Sequence, residues 1–370
     1  ANDQSPKGDN RAELYTGKAL DFDGVNDYVN LDGFTMAGNV ATIVFSTTFE
    51  NNNYFFDINT QRFVITNTVN DGFRVYNSNA WVSYGDTLRD EIGFYAVVSD
   101  GTTQRVYYNG HQLGSDQTIT ALDWDSATQV KIGSHFGGGT NYFNGQLSGF
   151  KIFNTALTAA QVADLYNNPE KVVPTGVADS ALKLWLPMQE GAGTYCINGA
   201  DPLGDDEYDG AGSFDSSTGW TLNDGCSIGS GKLSIDGTQT ANTSAYYNIS
   251  SVASSLVFAE FTLSNVTAGQ IQLAFFGASG TTTKWYTESG TYTELVAIGS
   301  GHNGNTGFIA NASFVGDIDN LTLKVVNTGD ISGATWAHGI GAPVSQTAVI
   351  DWNKKRTSNT IDILLPQGLT

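Results

Sequence analysis

Residues 93–115 read GFYAVVSDGTTQRVYYNGHQLGS. Asp100-Gly101 and Asn109-Gly110 each stand between runs rich in β-branched and aromatic residues. Such pairs accept positive φ at the centre of a tight turn, and that turn matches the twist of two antiparallel strands. Each pair therefore predicts a β-hairpin. Upstream, ATIVFSTTFE (41–50), YFFDINT (54–60), RFVITNT (62–68) and GFRVYNS (72–78) alternate or run apolar between polar breaks. Short strands spaced by about 8–12 residues predict a β-sandwich or jelly roll.

Composition agrees. The 370 residues include 43 glycines, and only 15% are charged against 40% hydrophobic. Thr, Ser, Asn and Gly stand where Lys and Glu are usual, which suits pleated faces and tight turns. One helix is expected in NTALTAAQVADLYNNP (154–169). Leu157, Val162, Leu165 and Tyr166 fall near helical spacing, Thr158 and Gln161 form a capping box, and Asn168 with Pro169 end it.

Charge excludes whole classes of partner. The chain carries 17 basic against 37 acidic residues, a net charge of −20. Nucleic-acid binding needs a basic footprint to neutralise phosphates, and an acidic surface disfavours anionic membranes. The only basic cluster, Lys354, Lys355 and Arg356, reads as a solvated turn. No apolar run reaches the length of a membrane-spanning helix, about 18 residues. Cys196 and Cys226 are too few for a disulfide framework and read as free thiols in a protein made in a cytoplasm.

Catalytic signatures are missing, so no enzyme is expected. A glycosidase needs two carboxylates flanking one bond. Asp123 and Asp125 in LDWDS have strand spacing but read better as a rim or turn. No nucleophile motif accompanies the four scattered histidines, and no His/Cys cluster offers a zinc site. The stretch ALDFDGVNDYVNL (19–31) admits two readings. In one, Leu20 and Phe22 face the core, Asp21 and Asp23 face out, Gly24 makes the bend, and Asn26 and Asp27 satisfy turn amides. In the other, Asp23 and Asp27 hold a metal, with Ca²⁺ the fitting ion because it prefers carboxylate and carbonyl oxygens.

Three ordered segments carry a resemblance. GKALDFDGVNDYVNL, the hairpin QRVYYNGHQLGS and FNGQLSGFKIFNTALTAAQVADLY together resemble the laminin G-like, concanavalin A-type jelly roll. Downstream, GSFDSSTGWTLNDGCSIGSGKLSID, GTYTELVAIG and DIDNLTLKVV resemble a carbohydrate-binding module with a galactose-binding-like jelly roll. LKLWLPMQEGAGTYCINGADP and DISGATWAHGIGAP both look like the lead-in before a laminin G-like domain, yet about 130 residues separate them. An insertion between two halves of one element explains that gap, since a module whose termini lie close together tolerates insertion.

The resemblance implies an all-β chain of two antiparallel jelly-roll modules, with one short helix closing the first. The expected layout is an N-terminal arm (1–11), a laminin G-like jelly roll (12–169), a linker (170–181), a split connecting element with a β-rich tail (182–208 and 327–370), and an inserted module (209–326). It also implies a structural Ca²⁺ joining Asp215 to Asp319, with Asp where the family more often has Glu. Glycans are the implied ligands. Trp285, Lys284 and Glu288 in the second module, and Trp81, Tyr84 and Tyr142 in loop-like segments of the first, could form ligand edges or could be packing residues. Trp185 and Trp220 read as core. Both families occur together in secreted bacterial proteins and in bacteriophage virion proteins. The expectation is a non-enzymatic virion protein that binds surface glycans, homo-oligomeric for avidity and displayed on the virion surface. A bacterial extracellular adhesin and a purely architectural virion subunit are the alternatives.

Overall fold

The computed structural model describes residues 18–31, 34, 36, 38–49, 53–58, 63–68, 72–77, 80–85, 89–119, 130–135, 142–169, 171–249 and 252–338. The chain divides into two compact units, and the second, Leu203–Asn327, is inserted into the first. Both are built from antiparallel strands, and the architecture is all-β and sandwich-like. Asp123, Asp125 and the basic cluster at 354–356 lie outside the described residues.

The first unit carries two eight-stranded sheets. One runs His111–Thr118, Thr103–Tyr108, Arg89–Ser99, Ala41–Phe49, Asn144–Phe153, Lys18–Asp23 and Thr335–His338, with Leu182–Leu186 also pairing along Asn144–Phe153. The other runs Tyr195–Ile197, Thr328–Ser332, Tyr28–Asn30, Val130–Ile132, Asn53–Ile58, Phe63–Thr68, Gly72–Asn77 and Ala80–Ser83. The segments read from sequence as a separate connecting element thus supply strands to both of these sheets. Between the sheets lies an apolar core that includes Phe22, Phe45, Phe55, Phe73, Tyr95 and Phe150.

Both hairpins form, the first with Gly101-Thr102 and not Asp100-Gly101 at its centre, since Asp100 bonds to Thr103, and the second on the expected pair. Tyr108 pairs with His111 across Asn109 and Gly110, whose φ values of 49° and 80° are those the turn requires. The Asn109 side chain adds a second function, because its Oδ1 accepts from the Phe94 amide at 2.9 Å and so ties the turn to the neighbouring strand. The helix Ala159–Asn167 begins at Thr158 with a complete capping box and buries Val162 and Leu165. Its Tyr166 ring lies 5.8 Å from Phe94 and against Gly110. Trp185 and Trp220 are buried, each in its own unit. Both cysteines are free thiols. Among the described residues no helix is long and apolar enough to cross a membrane.

The second unit has a six-stranded sheet of Cys226–Gly229, Lys232–Asp236, Val315–Val326, Leu256–Ala268 and Gly290–Ala297, with Leu203–Asp206 also on Val315–Val326. Its five-stranded sheet runs Trp220–Leu222, Thr243–Asn248, His302–Ala310, Ile271–Gly277 and Thr281–Thr282. Phe261, Phe275, Phe308 and Phe314 lie in its core. Leu203 and Val326, at the two ends of this unit, are partners in one ladder. In the first unit Ile197 and Thr328, where the chain leaves and returns, are likewise paired. Each unit therefore has its break points side by side, the geometry that makes insertion feasible.

Two stability outcomes follow. Gly110→Ala is expected to cost about 1–2 kcal/mol, because an L-residue is strained at φ +80° and its Cβ would sit 2.9 Å from the Tyr166 ring. Thr158→Ala should cost about 1 kcal/mol through loss of the cap. Urea titration of each variant measures both. The Asp100 carboxyl is held at about 2, below the ordinary 3.8, first by the Thr103 amide and then by the Thr102 amide and hydroxyl and the Arg105 guanidinium. A carboxyl depressed in the folded state stabilises fully above its unfolded pKa and loses that contribution as pH falls through the folded value. Asp100→Ala should therefore lower the urea midpoint at pH 6 and leave it nearly unchanged near pH 2.

Candidate functional site

The outward face of the second sheet of the first unit gathers the polar and aromatic side chains that the strands withhold from the core. Alternation assigns the faces. Phe56, Ile65 and Val75 are register partners and belong to the core. The intervening positions form two outward rows, Tyr54–Thr66–Arg74–Ser83 and Asp57–Val64–Tyr76–Trp81. The second row continues through Lys131 and Asn30 to Asp330.

The rings converge at one end. Trp81 lies 5.2 Å from Tyr76 and 6.2 Å from Tyr54, and the Arg74 guanidinium carbon is 4.6 Å from the Trp81 ring centroid. Tyr54 meets His135 edge-on at 5.0 Å, and His135 Nε2 is 3.8 Å from an Asp57 carboxylate oxygen. Further along, Lys131 Nζ sits 4.3 Å from the Tyr28 ring centroid. Asp57, Val64 and Thr66 are buried in the middle of the face, whereas Trp81 is 36% exposed. The Trp81 end is accessible, as is Asp330 at the far end of the row. At the Trp81 end a large ring is braced by a guanidinium and two tyrosines, with the exposed Ser83 and Ala80 beside it. An aromatic plane bordered by hydrogen-bonding groups suits a ligand with an apolar C–H face and peripheral hydroxyls.

Of the residues picked from sequence in this unit, Trp81 holds such a position, on a strand and not on a loop. Tyr84 does not. It is 3% exposed, packs in the core and donates its hydroxyl to Gln104 Oε1 at 2.8 Å, so it cannot read a glycan from a loop. Tyr142 is half-buried and bridges the backbone of Ser134. Tyr54, Arg74, Tyr76 and His135 escaped the sequence reading. The alternation in GFRVYN puts Arg74 and Tyr76 on one face, but only the strand register brings them to Trp81.

In the second unit Trp285 is 37% exposed beside the edge strand Thr281–Thr282. Lys284 Nζ pairs with Glu294 at 3.2 Å, and the Tyr286 hydroxyl donates to the same carboxylate. Burial first, and then that bond, pushes the Tyr286 phenol up. Tyr292 packs 4.4 Å from Tyr286 and donates to the Glu288 carbonyl at 2.8 Å. The charged head of Lys284 and the backbone of Glu288 are thereby engaged within the unit, and Trp285 supplies the open ring.

The carboxylates considered for calcium serve the backbone. Asp23 Oδ1 accepts from the Val25 amide and Asp27 Oδ2 from the Asp23 amide, both at 2.8 Å. Leu20 and Phe22 are buried while Asp21 and Asp23 are exposed, so this stretch closes a sheet corner. Burial, and then the neighbouring Asp23 and Asp21 carboxylates, raise the Asp27 carboxyl, while the Asp23 amide lowers it. Asp215 accepts from Ser213 Oγ and Asp319 from the Asn320 amide. Among the described residues no three His, Cys, Asp or Glu side chains are grouped for a metal. The bonds of these carboxylates run to amides and a hydroxyl of their own turns. EDTA should therefore leave the melting temperature within about 1 °C, and a fall of several degrees, restored by Ca²⁺, would contradict this.

Residues 27–163 match the family model described as the Concanavalin A-like lectin/glucanases superfamily. No curated protein matches the sequence. Among solved structures, a heptameric SAP-like pentraxin from Limulus polyphemus is similar at 18% identity and a TM-score of 0.36, over 41% of this chain and 82% of that one. Domain 4 of AbnA, a GH43 extracellular arabinanase from Geobacillus stearothermophilus solved with arabinotriose, is similar at 18% identity and 0.35, over 40% of this chain and 76% of that one. The Trypanosoma rangeli sialidase is similar at 12% identity and 0.30, over 36% of this chain and 23% of that one.

Proposed function

We propose that the chain is a glycan-binding protein without catalytic activity, and that it contacts saccharide through the Trp81 end of the second sheet of its first unit. One observation carries the reading. Register and alternation place Trp81, Arg74, Tyr76 and Tyr54 on one outward face of a domain whose family includes lectins. Trp81 stacks on the sugar ring, and the Arg74 guanidinium and tyrosine hydroxyls bond its hydroxyls.

The wider setting we propose is the surface of a bacteriophage virion, where the chain acts as a fibre, tail or decoration protein and attaches the particle to surface glycans. The strongly acidic, cysteine-poor, Gly-rich composition and the pairing of two jelly-roll units support this setting. Homo-oligomerisation would raise avidity for weakly held sugars. A glycan array with the intact chain tests the binding. Trp81→Ala should weaken the best saccharide at least about tenfold, since a lost aromatic anchor costs more than about 1.4 kcal/mol. The variant should still unfold cooperatively, with a somewhat lower melting temperature, because Trp81 lies on the edge strand Ala80–Ser83 and outside the core cluster. Retained affinity in that variant would refute the site. Mass spectrometry of purified particles tests the setting, which predicts the chain in stoichiometric amount.

A further inference from the structure

We infer that residues 187–197 form a pH-sensitive clasp in the first unit, shut while the Glu190 carboxyl is neutral and loosened as that carboxyl ionises. The segment joins the two sheets of this unit, running from the end of Leu182–Leu186 in one to Tyr195–Ile197 in the other. Tyr195–Ile197 is an edge strand whose ladder partner is Thr328–Ser332, and the chain leaves for the inserted unit shortly after it. Met188, Gly191 and Gly193 take φ of 55°, 71° and 85°, so the chain between the strands cannot run as a strand itself. Side chains hold it instead. Gln189 Oε1 accepts from the Lys18 amide at 2.8 Å, and Gln189 Nε2 donates to the Lys18 carbonyl at 3.2 Å. Trp336 Nε1 donates to the Gly193 carbonyl at 2.9 Å. Glu190 fastens the far end, where its Oε1 accepts from the Ile197 amide at 2.8 Å. A segment held by so few bonds opens locally at less cost than the core strands.

The surroundings of Glu190 favour its neutral form. The residue is half-buried as a whole, but its Oε2 is shielded from solvent and has no hydrogen-bond partner among the described residues. Lys18 Nζ donates to the Glu190 backbone carbonyl at 3.2 Å and not to the carboxyl. On the core side stands Cys196, fully buried, whose thiol is pushed up by burial and then by Glu190. The next titratable positions along these ladders are Asp330, opposite Tyr195, and His338, opposite Lys18. An ionised carboxylate here leaves one oxygen buried and unbonded, which is costly, whereas a neutral acid still accepts from Ile197. Burial accordingly raises the carboxyl above its ordinary 4.5, and the Ile197, Glu190 and Gln189 amides and the Lys18 charge moderate the rise. A carboxyl raised in the closed form contributes fully below its ordinary value and loses that contribution as pH climbs through the raised one. Opening returns the carboxylate to water, so the clasp is tight in acid and weakens as pH rises.

Cys196 reports the opening, because its buried thiol meets reagent when the clasp lifts. In the intact chain carrying Cys226→Ser, the maleimide labelling rate is measured from pH 4.5 to 8 and compared at each pH with the rate for the same chain in urea. That ratio is the protection of Cys196, free of the thiol's own titration. Protection should fall at least about tenfold over this range, the effect of a rise of one pKa unit. With Glu190→Gln added, it should stay nearly constant and at pH 8 exceed that of the parent. Should that variant fail to fold, hydrogen exchange of the wild type gives a second reading. Corrected for intrinsic rates, amides at 187–197 should lose protection as pH rises while those of Ala41–Phe49 keep theirs. Protection of Cys196 that stays flat or rises with pH, an equal fall in Glu190→Gln, or an equal loss in both sets of amides would overturn the inference.

Discussion

The burial of one aromatic cluster governs the first unit. Phe45 stacks on Tyr95 at 5.5 Å and meets Phe55 at 4.3 Å, Phe73 stacks on Tyr95 at 5.5 Å, and Phe150 lies 5.4 Å from Phe56. These rings come from strands of both sheets. Each contributes far more apolar area than an aliphatic side chain, so a pairing that exposed them would be strongly disfavoured. A slip of one residue in any of these strands would send its rings to solvent. Core burial therefore sets the register, and the register decides which side chains are left outside. Tyr54, Arg74, Tyr76 and Trp81 share a face because Phe56, Ile65 and Val75 share the other.

The same logic explains how one chain carries two sandwiches. Tyr195–Ile197 and Thr328–Ser332 form an antiparallel pair in the first unit, and between their adjoining ends the chain runs out into 125 residues that close on themselves through the pairing of Leu203 with Val326. Each break falls where two strands already lie side by side. Neither unit has to stretch to accommodate the other, and each keeps its own core. The second unit obeys the register rule as well.

Much of this was legible in sequence, for local reasons. The Asn109-Gly110 turn, the hairpin around Gly101, the Thr158/Gln161 cap and the alternating faces of residues 19–23 depend on neighbours a few positions away. What stayed hidden depends on pairing between distant residues. Tyr84 follows a short strand and precedes Gly85, so it reads as a loop aromatic, yet its hydroxyl finds Gln104 and its ring the core. By contrast, the amides that Asp23 and Asp27 accept from lie only two and four residues away, within reach of the turn reading of that stretch. Trp81 was visible as an aromatic residue, but its companions Tyr54 and Arg74 come from other strands.

The central claim is that register delivers a saccharide platform at Trp81. A crystal structure of the chain soaked with its best array oligosaccharide tests it most directly. The account predicts a sugar ring stacked on Trp81 with Arg74 at its hydroxyls. Sugar bound elsewhere in the first unit, with Trp81 untouched, would contradict it.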